Sequence, residues 1–401
     1  MYIDGAYDCS CLPTLYFCNM LLAIDASRAN EGHKTGVGWY AWHIIQELKK
    51  ITPPDVRVRL YSQEPLVGEL GNLPENWESK VLSWPPKRLW TQVRLSIEML
   101  LHAPDVLFVP AHVVPIVHPQ KTVMTVHDIA ASRFAMSYSW FERWYSMWSA
   151  RQACAGSGLI IVPSRFTKDE IVRVFGISIA KQVRVVPHGY DTSFARQAPP
   201  GRHEEVLRTY GVVQPFVLSI GRLEEKKNTA NMVRAFCEFK KESGLEDLTY
   251  VLVGKQGHGY ETVRSAIAQS SFDHDVIELG WVAQADLPVL LQSAEALLFV
   301  SLYEGFGLPV LEAFAAGTPV ITSKGTSLDE VGDGAVRSCD PHSVPEIVSA
   351  LSAVLTDEKI RTRLIAGGKD RVSQFSWKKA AAMTLEFLLE QTEQVEKSGS
   401  L

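Results

Sequence analysis

Two carboxylates flank a glycine-rich turn in the segment ALLFVSLYEGFGLPVLEAFAAGTPV. The apolar run that opens this segment is short, as expected of a buried parallel strand. Gly305 and Gly307 let the backbone approach a ligand closely, and Pro309 suits the first position of a helix, where a missing N–H costs nothing. The pattern therefore predicts a strand, a loop that carries Glu304, and a helix that carries Glu312 near its first turn.

The chemistry that suits this turn is the binding of an anion that is joined to a polar ring. In open α/β sheets, ligands bind beyond the carboxyl ends of the strands, and a helix N-terminus offers free N–H groups and a positive dipole end to phosphate. Because Glu304 and Glu312 would repel a phosphate, they must face neutral donors such as sugar hydroxyls. We therefore predict that the ligand is a sugar joined to a phosphate-bearing nucleotide. The alternative is a tight turn with solvent-facing glutamates.

A group of cations follows another predicted strand, in the segment SIGRLEEKKN. Arg222 and Lys227 stand at the start of a helix, where positive charge is unfavourable unless an anion is bound. A departing nucleoside diphosphate gains negative charge, which preorganised Arg and Lys side chains stabilise as a metal ion does elsewhere. Lys226 is the alternative to Lys227, because we expect only one of two adjacent lysines to point inward. A solvated basic helix start is the other interpretation.

Strand-like runs alternate with helical patterns from residue 21 onward, which is typical of βαβ units and a parallel sheet. In the first series, we predict strands at residues 21–25, 57–61, 105–109, 122–126, 158–162 and 183–186. In the second series, we predict them at 215–220, 248–253, 276–279, 296–300, 319–322 and 335–337. The segment HGYDTSFARQAPPGR between the two series is rich in turn formers. It predicts a domain boundary near residues 190–205.

Composition fits two globular domains and argues against several function classes. The 401 residues are 46% hydrophobic and 21% charged, and the formal net charge of −5 does not suggest a nucleic-acid binder. Six scattered cysteines lack paired zinc-type spacing, so we predict neither a disulfide framework nor a metal site. No run approaches the roughly 18 apolar residues of a spanning helix. Asp4 and Asp8 before the first apolar run argue against a signal peptide.

The segment EGFGLPVLE resembles the E-x7-E motif of retaining glycosyltransferases of family 4, which have the GT-B fold. The resemblance continues through GTPVITS and SLDEVGDGAV, is preceded by VIELGWV, and covers the second half of the chain almost without a gap. It implies an α/β protein with two Rossmann-like domains that face each other across a cleft. We expect an acceptor domain at residues 20–195, a nucleotide-sugar donor domain at 206–375, and a helix at 376–395 that crosses back to the first domain. Residues 1–19 resemble nothing in the family and are interpreted as a non-native or disordered extension.

The resemblance also implies roles for individual residues in the second domain. Glu304 would contact the donor sugar and Glu312 the nucleotide ribose, while Arg222 and Lys227 would bind the diphosphate. Backbone amides would hold sugar hydroxyls and the diphosphate at Gly305, Phe306, Gly307 and Leu308.

In the first domain the resemblance is weaker but touches two segments. His127 in TVHDIA matches the family histidine that contacts the donor sugar. Gly36 and Gly38 match the glycine loop at the diphosphate and the acceptor, although Trp39 replaces the basic residue expected there. His188 occupies the hinge, where the family more often has Asn, so a structural role is at least as plausible as a chemical one.

In the second domain, Asp273–Asp275 looks like the D-x-D metal-binding motif of a different glycosyltransferase fold. It belongs at the entry end of a strand, away from the cleft, and we interpret it as a polar loop.

Together these features predict a metal-independent, retaining hexosyltransferase that uses no cofactor. Its donor would be a nucleoside-diphosphate sugar, with mannose from GDP-mannose as the first candidate and glucose, galactose or rhamnose as alternatives. Its acceptor would be a polysaccharide or a lipid-linked glycan, as in lipopolysaccharide synthesis. The alternatives are a nucleotide-sugar epimerase or phosphorylase on the same fold, and a catalytically silent sugar-nucleotide binding partner.

Two segments raise the question of peripheral membrane contact. Aromatic residues recur at helical spacing in SYSWFERWYSMWSARQ, at Trp140, Phe141, Trp144, Tyr145 and Trp148. The default interpretation is a helix that packs its aromatic face on the core. The excess of Trp leaves a membrane-surface role open, and LWTQVRLSIEML is a second candidate. We therefore expect a cytoplasmic protein that can work at the inner face of the membrane.

Overall fold

The first of two sheets is formed entirely by parallel strands. The computed structural model describes residues 20–85, 89–130, 148, 151 and 158–393. The first sheet has the order β3-β2-β1-β4-β5-β6-β7. Its strands are β1 (Leu21–Asp25), β2 (Arg57–Ser62), β3 (Trp77–Val81), β4 (Val106–Val109), β5 (Thr122–Thr125), β6 (Leu159–Val162) and β7 (Val183–Val185). In its register, Ile24 pairs with Leu60 on one side and with Phe108 on the other.

The second sheet repeats the same winding, with the order β10-β9-β8-β11-β12-β13. Its strands are β8 (Phe216–Ile220), β9 (Thr249–Val253), β10 (Val276–Gly280), β11 (Ala296–Phe299), β12 (Val320–Ser323) and β13 (Arg337–Cys339). All twelve predicted strands are present, within one or two residues at each end. In each sheet the order reverses direction at one point, between β1 and β4 in the first and between β8 and β11 in the second. Ligands of doubly wound sheets bind at such points.

The sequence pattern missed β3. In WESKV only Trp77 is buried, whereas Glu78, Ser79 and Val81 are exposed. The strand lies at the edge of the sheet and pairs with β2 alone, so it does not need the continuous apolar run that marks a strand buried on both faces.

Helices cover both sheets. With the first sheet, the described residues form the helices Gly36–Ile51, Ser96–Leu101 and Arg165–Phe175. With the second sheet, they form Arg202–Tyr210, Thr229–Ser243, Tyr260–Ala268, Leu287–Ser293, Leu308–Ala316, Ser327–Gly332, Val344–Thr356 and Glu358–Val372. No helix among the described residues is long and apolar enough to cross a membrane.

The last described helix, Trp377–Glu393, returns to the first domain as predicted. Its apolar face joins the core that the first sheet shares with the helix Gly36–Ile51, through Ala381, Leu385 and Leu388. The second sheet has its own cores on its two faces. The helix therefore ties the two domains together by burial of apolar surface.

Some sequence predictions fall outside the described residues. They are the extension at residues 1–19, the end of the last helix beyond Glu393, and the segment that carries Trp140, Phe141, Trp144 and Tyr145.

Candidate active site

The loops that leave β8 and β11 form a crevice at the point where the second sheet reverses direction. Gly221, with φ +150°, directly follows β8 and leads into Arg222. The loop after β11 carries Glu304 and ends at Gly307, whose φ of +114° suits glycine. The helix Leu308–Ala316 then begins with a proline in its first turn and no acidic side chain there, so no first-turn carboxylate competes with an anion at this helix N-terminus.

Lys227 and Glu304 form a close ion pair inside this crevice. The ammonium of Lys227 lies 2.5 Å from Oε1 of Glu304 and 5.3 Å from the centroid of the Phe299 ring. The two side chains are only 20% and 11% exposed, so each charge depends on the other for compensation. Because the pair occupies one carboxylate oxygen of Glu304, the second oxygen can still accept a ligand hydroxyl.

Arg222 is far more accessible than Lys227. Its side chain is 65% exposed, and its Nε lies 3.6 Å from the nearest carboxylate, that of Glu224. An ion pair at that distance with an exposed guanidinium is weak. The guanidinium is therefore free to rearrange around an incoming diphosphate, for which its planar fork of donors is well suited.

Lys226 contacts the opposite side of the cleft. Its ammonium lies 3.4 Å from Oδ2 of Asp128, on the loop after β5 of the first domain. Burial opposes ionisation of Asp128, but Lys226 and the backbone N–H of Ala130 hold the pKa of Asp128 below its usual value. The expectation that only one of the two adjacent lysines points inward was wrong. Side chains of a 3-10 turn such as Glu225–Lys227 diverge by about 120° per residue, so neighbours can reach opposite walls of one cleft.

Glu312 lies on the helix Leu308–Ala316 and is only partly exposed. Burial, and after it the nearby charge of Asp191, raises the pKa of Glu312 to about 8. Among the described residues, none donates a hydrogen bond or a cation to its carboxylate, while Asp191 accepts the backbone N–H of Ser193. Two neighbouring acids with so few donors form a site that hydroxyl groups of a ligand can satisfy.

The two domains touch at the glycine-rich turn. A Cβ on Gly305 would lie 1.8 Å from the backbone oxygen of His127, so only glycine fits there. The hydroxyls of Ser164 and Thr167 both donate to the backbone oxygen of Gly305, at 2.7 and 3.0 Å. Across the same interface, Glu330 accepts the backbone N–H of Arg165 at 2.8 Å. The sequence did not indicate these contacts, which bring His127 to the loop that carries Glu304.

The glycine loop of the first domain also lies at the cleft. Gly36 opens the helix Gly36–Ile51, and a Cβ there would meet no atom within 4 Å. Gly38 is tightly placed, since its Cβ would lie 3.0 Å from the backbone oxygen of Arg28. His33 of this loop makes an edge contact with Trp281 of the second domain, with ring centroids 5.7 Å apart. The loop thus reaches the second domain near the carboxyl end of β10.

Asp273–Asp275 forms a short turn directly before β10, at its amino end. Asp275 pairs with Lys240 at 2.6 Å. This turn therefore lies at the opposite end of the strand from the crevice. Within the ranges that the structure describes, no group of three or more His, Cys, Asp or Glu side chains is arranged to hold a metal ion.

Comparison with known protein families identifies the chain. The family described as "Glycosyltransferase Family 4" matches residues 34–194, and the family described as "Glycosyl transferases group 1" matches residues 211–371. The chain belongs to the family 4 glycosyltransferases. It is similar to O-antigen chain mannosyltransferase B of Escherichia coli, with 27% identity over 309 residues that span 77% of this chain and 78% of the relative.

Solved structures confirm the GT-B fold of this glycosyltransferase. Sucrose-phosphate synthase from Thermosynechococcus elongatus superposes with a TM-score of 0.71 at 16% identity, over 92% of this chain and 98% of that one. Anabaena HepE, solved in complex with UDP-glucose, gives a TM-score of 0.69 at 18% identity, over 92% of this chain and 99% of that one.

Proposed function

We propose that this glycosyltransferase moves a hexose from a nucleoside-diphosphate sugar to a polysaccharide or a lipid-linked glycan. One observation carries the proposal. Arg222, Lys227 and Glu304 lie on the loops that leave the neighbouring strands β8 and β11, and the helix Leu308–Ala316, which carries Glu312, begins where the second loop ends. The cations and the helix suit a diphosphate, and the carboxylates suit the hydroxyls of the two sugar rings that flank it.

The diphosphate would bind between Arg222, Lys227 and the backbone amides that begin at Gly305. When the bond between the sugar and the phosphate breaks, negative charge grows on the leaving diphosphate, and cations held in place stabilise that charge. Lys227 already lies at the crevice because Glu304 holds it there. With this positive potential supplied by the chain, the reaction needs no metal ion.

We propose retention of the anomeric configuration, with the acceptor attacking from the side of the leaving group. In that route the departing phosphate oxygen takes the proton of the acceptor hydroxyl, so the protein need not supply a base. Two carboxylates of the cleft are already paired with lysines, Glu304 with Lys227 and Asp128 with Lys226. Lys226 holds the pKa of Asp128 below its usual value, and the ammonium of Lys227 occupies one oxygen of Glu304, which argues against either carboxylate as a general base.

Mannose from GDP-mannose is the first donor to test, because the mannosyltransferase of Escherichia coli is similar over most of both chains. The purified chain is offered a panel of GDP and UDP sugars with a glycan acceptor, in the presence of EDTA. We expect release of the nucleoside diphosphate from one of them, and NMR of the product should show the anomeric configuration of the donor. Transfer that stops with EDTA and returns with Mg²⁺ or Mn²⁺ would contradict metal independence. An inverted product would contradict retention.

We also propose peripheral contact with a membrane surface through an apolar patch of the first domain. Leu100 and Leu101 end the helix Ser96–Leu101 and are 71% and 66% exposed. Val117 lies at the start of the same helix, because its N–H donates to the hydroxyl of Ser96. Ile116 and Val117 are 58% and 41% exposed. An apolar surface of this kind suits the boundary between headgroups and acyl chains.

Flotation with vesicles of phosphatidylethanolamine and phosphatidylglycerol tests this contact. We expect the parent chain to float with the vesicles and the double variant Leu100→Ser/Leu101→Ser to stay in the dense fraction. Val213→Ser is the matched control, because Val213 is 69% exposed on the second domain. Equal flotation of all three chains, or of none, would contradict the membrane proposal.

A further inference from the structure

His188 lies between the domains, in the segment that leads from β7 toward the second domain. It is 3% exposed, and its ring packs against Tyr40, Phe306 and Trp377, with centroids 4.6, 4.9 and 5.7 Å away. Its Nε2 lies 3.4 Å from Nδ1 of His127. Its Nδ1 is buried and has no hydrogen-bond partner among the described residues.

The partners of His127 determine which of its ring nitrogens carries the proton. Nε2 of His127 lies 3.2 Å from the backbone oxygen of Pro110, which can only accept a hydrogen bond. This contact favours a proton on Nε2. In a neutral ring the other nitrogen, Nδ1, is then an acceptor, so Nε2 of His188 must donate to it. This assignment leaves Nδ1 of His188 unprotonated.

The surroundings support neutral rings for both histidines. Burial lowers the pKa of His127 to about 4, and burial together with His127 lowers the pKa of His188 well below its usual value. The hydroxyl of Tyr40 bonds to Thr125 and not to either imidazole. The chain of hydrogen bonds thus runs in one direction, from His188 through His127 to Pro110.

We propose that His188 is a positioning residue that holds His127 in the tautomer protonated at Nε2. The donor of His127 then faces the carboxyl end of β4, where Pro110 lies, at the cleft. A hydroxyl of the donor sugar replaces the oxygen of Pro110 as the acceptor of this N–H. The opposite tautomer would present a lone pair there instead. This inference rests on the proposed function, in which His127 contacts the donor sugar.

Two substitutions separate hydrogen bonding from packing at position 188. His188→Gln keeps an N–H donor at about the distance of Nε2, whereas His188→Leu keeps a similar volume without a donor. The readout is ¹⁵N NMR of the full chain labelled at histidine, with the His127 signals assigned from His127→Gln. We expect the Nε2-protonated tautomer in the parent chain and in His188→Gln, and a mixture of tautomers in His188→Leu.

Transfer kinetics provide the second readout. We expect His188→Leu to lower kcat about tenfold, the scale of one neutral hydrogen bond. KM for the donor and affinity for the free nucleoside diphosphate should stay within about twofold, and His188→Gln should recover most of kcat.

Three results would overturn the proposal. The first is a parent chain in which His127 is protonated at Nδ1, or doubly protonated, at neutral pH. The second is a His188→Leu variant that keeps both the tautomer of His127 and the turnover of the parent. The third is a His188→Gln variant that loses as much turnover as His188→Leu. If His188→Leu fails to fold, the proposal is still tested by the tautomer of His127 in the parent chain and by the tautomer and turnover of His188→Gln. If the chain transfers no sugar, the NMR comparison still shows whether His188 controls His127, so the two failures are distinguishable.

Discussion

Arg222→Ala and Lys227→Ala will each lower the rate of sugar transfer by roughly 10² to 10³, the scale for removing one preorganised electrostatic group. The loss should appear mainly in kcat, because the charge on the diphosphate grows as the bond to the sugar breaks. The two variants should differ in stability. Arg222 is 65% exposed, so its removal should leave the melting temperature unchanged, whereas loss of Lys227 leaves the buried carboxylate of Glu304 without its partner.

Lys241→Ala and Arg234→Ala are the matched controls, since both remove an exposed cation from the helix Thr229–Ser243 of the same domain. Their transfer rates should stay near that of the parent, and circular dichroism should show the same fold for all four variants. Rates within a few-fold of the parent for both Arg222→Ala and Lys227→Ala, at saturating donor, would refute the diphosphate assignment.

At a pH above 8, where the Glu312 carboxyl is ionised, Glu312→Gln will weaken binding of the free nucleoside diphosphate by roughly 1–3 kcal/mol, the value of a hydrogen bond to a charged group. Glu304→Gln should lower turnover and leave that affinity nearly unchanged, because Glu304 faces the sugar that the free diphosphate lacks. Equal losses of nucleotide affinity in the two variants would contradict this division of roles.

The raised pKa of Glu312 adds a pH dependence to the same prediction. A carboxyl with a pKa of about 8 is mostly protonated at neutral pH, and it becomes the stronger acceptor of ribose hydroxyls only as it ionises. Nucleotide affinity of the parent should therefore rise as the pH rises through 8. Because the amide of Glu312→Gln cannot ionise, the variant should lack this rise and differ from the parent most at high pH.

The sequence predicted the fold well because parallel strands buried on both faces are continuous apolar runs, such as VLFV in β4 and ALLF in β11. It missed β3 because that strand lies at an edge, where one buried Trp77 is enough. The turn around Gly305 and the helix start after it could also be predicted, because glycine and proline have strong local conformational preferences.

Contacts between the two domains could not be predicted from the sequence. The sequence makes Lys226 only the alternative to Lys227, because one of two adjacent lysines is expected to point inward. The cleft has two walls, however, and Asp128, the partner of Lys226, belongs to the second. The sequence places His188 at the hinge but does not connect it with His127, which is 61 positions away in the chain. Distances of this kind depend on how the two domains pack, which no local pattern records.

Calorimetric titration of the full chain with GDP and UDP, in EDTA, tests the central claim most directly. The account predicts saturable binding of at least one of them by the parent chain, and loss of that binding in the double variant Arg222→Ala/Lys227→Ala. The control Lys241→Ala/Arg234→Ala should bind as the parent does. Binding of equal strength by the parent and the Arg222→Ala/Lys227→Ala variant would place the nucleotide elsewhere, and no binding of either nucleotide by the parent would contradict a nucleotide-sugar donor site in this crevice.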